Sequence, residues 1–65
     1  MAEWSMAEAL RMAFRFEKEN FEEYGKSAGE TTDPGVKAMF GFLAAEERRH
    51  MDLILEMMRR HDVEP

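Results

Sequence analysis

The apolar residues of this chain recur at alternating intervals of three and four, in two runs separated by one polar break. From Leu10 the first run passes through Ala13 or Phe14, Glu17, Phe21, Tyr24 and Ala28. From Val36 the second passes through Phe40, Leu43, Glu47, His50, Ile54 and Met57. That spacing places each run along one face of a helix, and β-branched residues are too scarce for strands. The break is SAGETTDP at 27–34. Gly29 suits the position just past a helix end, and Asp33–Pro34 supplies an N-cap followed by a first-turn proline. Upstream, Ser5-Met6-Ala7-Glu8 reads as a capping box, with Trp4 placed to staple against the first turn. One helix is therefore expected over about residues 6–28, a turn over 29–33, and a second helix over about 34–61. Arg59, Arg60 and His61 suit the negative end of the second helix dipole. A link this short folds the pair back as an antiparallel hairpin, an all-α fold in a single domain.

Two of the stripe positions are carboxylates and one is an imidazole. Burying such groups costs several kcal/mol unless they are paired or bound to something. At 1.5 Å per residue Glu17 lies about 16–18 Å from the turn, and Glu47 and His50 lie about 20–24 Å from it. The three polar intrusions are thus expected at a similar depth in the hairpin. Residues three apart on a helix have Cβ atoms about 5–6 Å apart, so Glu47 and His50 can converge on one ion. A neutral imidazole with carboxylates is a hard-to-borderline donor set, suited to iron, manganese or zinc.

Composition narrows the alternatives. Sixty-five residues seldom bury enough apolar surface to be stable alone, and the usual supplements are disulfides, a metal or a partner chain. There is no cysteine, which removes disulfides, thiolate zinc sites and thiol catalysis. A net charge of −5 argues against nucleic-acid binding. No apolar run approaches a membrane span, and MAEWSMAEAL lacks the basic and apolar regions of a signal peptide, so a soluble cytoplasmic protein is expected.

A Glu-x-x-His pair on a helix is by itself commonly a solvated hydrogen bond. Here the pair lies on the apolar stripe, away from the charged face of Glu46, Arg49, Asp52 and Glu56. His61 reads as a helix-end residue, and the seven methionines as adaptable core filler instead of a copper site. Tyr24, two turns from Glu17, reads first as a half-buried aromatic; a hydrogen bond to a ligand or a redox role is the alternative. No glycine-rich phosphate loop or serine–histidine spacing is present.

These residues resemble the ferritin-like family, especially its rubrerythrin branch. FRFEKENFEEYGKSA is similar to that family's first helix, with a ligand Glu followed seven residues later by Tyr, here Glu17 and Tyr24. DPGVKAMFGFLAAEERRHMDLILEMM is similar to its second, with the ligand pair Glu47 and His50. The likeness runs from about Ala13 to Arg60. It implies a four-helix bundle in which two helices each give a Glu, and two others each give Glu-x-x-His, to a di-iron or di-manganese centre. Relatives use such centres with O₂ or peroxide. One hairpin holds half of that ligand set, and the cysteine-ligated rubredoxin module of full rubrerythrins is missing. The parallel is with encapsulated ferritins, single hairpins that dimerise around their iron, and TTDP and MRRHD look like their turn and helix end. Their C-terminal extension and shell-targeting tail are not found in this sequence.

The expected protein is a homodimer forming a ferritin-like four-helix bundle, with two copies of Glu17, Glu47 and His50 holding two metals about 3.5–4 Å apart. Iron is the expected metal, two per dimer, with manganese or zinc as alternatives. The expected chemistry is ferroxidase or peroxidase, the latter with an external electron donor. An iron-storage component of a larger assembly and a structural hairpin without redox activity are the rival readings. Large apolar residues also lie off the stripes: Met12, Phe16, Met39, Phe42, Leu53, and the line Ala44, Met51, Leu55 and Met58. They raise the expectation that dimers associate further through methionine-rich faces.

Overall fold

The computed structural model describes residues 3–65. It contains two helices, α1 (Met6–Glu30) and α2 (Pro34–Arg60), packed as an antiparallel hairpin, with no strand among the described residues. The capping box forms as the sequence predicts. Ser5 Oγ accepts from the Glu8 backbone N–H at 3.0 Å, and Glu8 accepts from the Ser5 N–H at 2.9 Å. Trp4 is 63 % exposed, so the expected staple is not a buried contact.

At the turn the expectation for Gly29 fails. The helix runs on through Gly29 to Glu30, and the Thr31 N–H still bonds to the Ser27 carbonyl at 3.2 Å. Thr31 then leaves the helix in an extended conformation, so no left-handed residue is required there. Asp33 caps α2, its Oδ1 accepting from the N–H groups of Gly35 (2.8 Å) and Val36 (3.0 Å). Two of the four orphan donors at that helix end are thereby satisfied.

The far end of α2 carries the left-handed residue instead. Asp62 has φ 54°, its N–H bonds to the Arg59 carbonyl, and the Val63 N–H bonds to the Met58 carbonyl at 2.8 Å. This is a Schellman stop, which satisfies carbonyls that the last turn would leave open. Beyond it, Arg11 Nε donates to the Glu64 carbonyl at 2.9 Å, tying the tail to the start of α1.

Packing corrects the reading of the stripes. The most buried side chains are Met58 (1 % exposed), Leu10 and Met51 (9 %). Met51 and Met58, expected on a face between dimers, form the seam between α1 and α2. Val36 and Met57, on the stripe expected to be buried when two hairpins pair, are exposed in the single chain. The apolar arc of α2 is wider than one helix can cover, so its own periodicity does not say which edge meets α1. The hairpin measures 44 × 26 × 13 Å between Cα extents, a slab one helix thick. Its accessible surface is 5099 Å², where a compact monomer of 7.6 kDa has about 4,300 Å². No helix is long and apolar enough to cross a membrane among the described residues.

Candidate metal centre

Midway along the slab the two helices bring Glu17, Glu47 and His50 together. Each offers one donor atom, and these atoms all lie within 4.8 Å of one another. His50 Nδ1 is 3.2 Å from Glu17 Oε2 and 3.9 Å from Glu47 Oε2. The site is graded in exposure: the Glu47 side chain is 15 % exposed, Glu17 27 % and His50 46 %. Glu47 is set into the seam near Met51, while His50 stands at the rim. His50 belongs to the line Val36, Leu43, His50 and Met57, spaced by seven residues or two helical turns. The site therefore opens onto the apolar flank that the hairpin leaves uncovered.

Its electrostatics are those of two carboxylates held close together. Glu47 is held above the ordinary carboxylate range, first by a hydrogen bond shared with Glu17, then by burial and by the negative charges of Glu17 and Glu46. Glu17 is held below that range by the same hydrogen bond first, with His50 adding to the effect. Two carboxylates this close repel each other when both are ionised, so the pair holds its last proton more tightly than a free carboxylate would. Glu47 Oε2 is buried and has no hydrogen-bond partner.

Tyr24 stacks on Phe40, with ring centroids 6.2 Å apart and planes inclined by 29°. This is the half-buried aromatic reading; the Tyr24 hydroxyl makes no hydrogen bond to Glu17, Glu47 or His50. The stack sits two turns from the carboxylates on each helix and joins α1 to α2 on the side nearer the turn. Sequence reasoning passed over Glu46, assigned to the solvated face. It is ion-paired to Arg49 at 2.5 Å, and its charge acts on Glu47. Its adjacency to Glu47 was the available signal. His61 caps α2, apart from the three donors.

The model of the rubrerythrin family matches residues 8–65. The chain belongs to the rubrerythrin family. Comparisons with curated proteins and with solved structures found no match. Membership implies iron binding in a ferritin-like protein, and this rubrerythrin-family hairpin has residues that fit it. Two carboxylates and an imidazole suit iron, and the orphaned Glu47 oxygen is a desolvated acceptor that a cation would satisfy.

Proposed function

We propose that two copies of this hairpin pair through the flank bearing Val36, Leu43, His50, Ile54 and Met57. The pair would close a four-helix bundle around a di-iron centre that works with O₂ or peroxide, as a ferroxidase or peroxidase. One observation carries the reading. A buried carboxylate oxygen without a partner sits beside two further donors, at a site open on its apolar side. Three donors are half of the set that the ferritin-like bundle uses, and a twofold axis doubles them to four carboxylates and two imidazoles. The same axis covers exposed Val36 and Met57.

Bound iron would supply the electron transfer that none of these side chains can perform. The chain's own contribution is placement and charge. Glu17, held below the usual range, is an anion at neutral pH. Glu47 keeps a desolvated oxygen aimed into the site, and α2 fixes the one-turn spacing of Glu47 and His50. His50 would offer Nδ1, the ring nitrogen 3.2 Å from Glu17, once that nitrogen is free of hydrogen. Reduction of peroxide to two waters consumes two electrons and two protons, so peroxidase turnover would draw its electrons from an external donor.

Anaerobic Fe²⁺ titration followed by native mass spectrometry tests the reading. Saturation at two ions per two chains, followed by O₂ or peroxide consumption, is the expected result. Uptake far above that ratio would favour storage in a larger assembly. A monomer that takes up no iron would overturn the proposal.

A further inference from the structure

Trp4 is the chain's only tryptophan, and the fold leaves it 63 % exposed just ahead of α1. It stands on one side of a cleft of about 320 Å³, whose other lining residues are Glu8, Arg11, Met12 and Arg15. Small-molecule sites begin at about that volume. The indole and Met12 supply apolar surface, and the two arginines supply charge.

The arginines decide what kind of molecule fits. Carboxylates outnumber Lys and Arg by 14 to 9, and Arg48, Arg49, Arg59 and Arg60 each pair with one. Arg11 and Arg15 pair with none among the described residues. Glu8, the carboxylate of the cleft, is turned to the Ser5 N–H. Four residues apart, the two arginines are neighbours on the helix surface and repel one another, which an anion between them would relieve. Both guanidinium groups are already held in place. Arg11 Nε donates to the Glu64 carbonyl at 2.9 Å, and Arg15 lies over the Phe16 ring, 5.5 Å from its centroid. Most of their N–H donors remain open, and the oxygens of one phosphate can accept from both groups at once. A larger cavity of about 430 Å³ lies against the C-terminal tail, but its lining includes Asp62 and Glu64, and its arginine, Arg59, is paired with Glu56.

We infer that the cleft between Trp4 and α1 binds a planar aromatic ring carrying a phosphate, with the ring stacked on the indole and the phosphate held by Arg11 and Arg15. Stacking on an exposed aromatic side chain tolerates any flat ring, so the charge supplies the orientation. At about 100° per residue, Arg11 and Arg15 lie about 120–160° around α1 from Glu17. The cleft therefore stands on the side away from the metal centre, and the inference is separable from the metal reading.

Titration calorimetry on the full chain with flavin mononucleotide (FMN), riboflavin, adenosine monophosphate and inorganic phosphate is the deciding experiment. FMN is expected to bind about 10-fold or more tighter than riboflavin, which has the ring without the phosphate, as hydrogen bonds to a charged group require. It is expected to exceed inorganic phosphate, which lacks the ring, by about 10-fold or more as well. Adenosine monophosphate in place of FMN distinguishes a purine from a flavin as the preferred ring, and tight binding of either supports the inference. Stacking is read from quenching of flavin emission, which Trp4→Ala should abolish while leaving helix content by circular dichroism and Fe²⁺ uptake unchanged. Arg15→Gln should bring FMN affinity down to that of riboflavin, whose own binding should not change. Lys18→Gln, which removes a cation outside the cleft, should alter FMN affinity less than about threefold. Both ring phosphates binding no tighter than inorganic phosphate, or FMN binding that survives Trp4→Ala and Arg15→Gln, would overturn the inference. Absence of iron uptake by the wild type would sink the metal reading and leave this result standing.

Discussion

His50 Nδ1 stands 3.2 Å from Glu17 Oε2, joining residues 33 positions apart at the middle of the hairpin. With no metal present, this contact is a hydrogen bond only if Nδ1 carries hydrogen and donates it to the carboxylate. A cation that takes both atoms requires that hydrogen to leave Nδ1, by a shift to Nε2 or by release, and it competes with protons for Glu47, whose carboxyl is held above its ordinary range. Metal binding is therefore expected to release protons. Calorimetry in buffers of different ionisation enthalpy would measure the number. A heat that does not depend on buffer at mildly acidic pH would contradict the assignment of Glu47 as a donor to the metal.

The three donors should act as a set. Glu17→Ala, Glu47→Ala and His50→Ala are each expected to weaken Fe²⁺ or Mn²⁺ binding by about 100-fold or more, since even groups that only support ligands are worth about 10–100-fold. Exposed Glu22→Ala should change affinity less than about threefold, in line with the small effect of solvated charges. Equilibrium dialysis with metal analysis distinguishes these outcomes. Equal losses at Glu22 and Glu47 would mean that binding is diffuse surface charge.

The carboxylate pair sets opposed pH dependences in the metal-free protein. Glu47 has a raised value in the fold, so its favourable protonated state is fully present below the unfolded carboxylate value. That contribution is lost as pH rises through the raised folded value. Glu17 has a lowered value; its contribution is present above the unfolded value and lost as pH falls through the lowered one. Thermal melts in chelator should peak at mildly acidic pH and decline toward neutrality. Glu47→Gln should remove the decline, and bound metal should remove it too, because it replaces the proton. Parallel pH profiles for chelated and metal-loaded protein would refute this account.

Met58 is almost wholly buried between the helices, and Leu53 is largely open to solvent. Met58→Ala should cost about 2–4 kcal/mol, the range for emptying a core site. Leu53→Ala should cost within about 0.5 kcal/mol in the isolated hairpin, as at other surface positions. Denaturant unfolding at low protein concentration would separate the two, and similar costs would mean that the seam between α1 and α2 is misassigned.

Asp62 occupies a left-handed conformation that L residues adopt at a cost. Asp62→Gly is expected to stabilise the end of α2 by about 0.5–1 kcal/mol, because glycine lacks the Cβ responsible for it. A lowered melting temperature would show that the Asp62 side chain contributes more than its backbone strain removes.

Local chemistry alone determined where the helices begin and that they fold back. Ser5 and Glu8 cap α1, Asp33 and Pro34 start α2, and these devices act within four residues of chain. The depth of Glu17, Glu47 and His50 was also legible, since helical rise is fixed and the turn is short. What the sequence could not settle was the rotation of α2 about its own axis. Its apolar arc includes both the Val36–His50–Met57 line and the Met51–Met58 line, and either satisfies the periodicity. Packing against α1 selects the second, since Met51 and Met58 are buried and Val36 and Met57 are not, and only pairwise packing distinguishes two apolar lines on one helix. That rotation makes Met51 and Met58 the seam of the hairpin. It sets Glu47 inside the seam with an unpartnered oxygen and puts His50 at the rim. It also turns Phe42 and Leu53 to the back of the helix, where nothing within the chain can cover them.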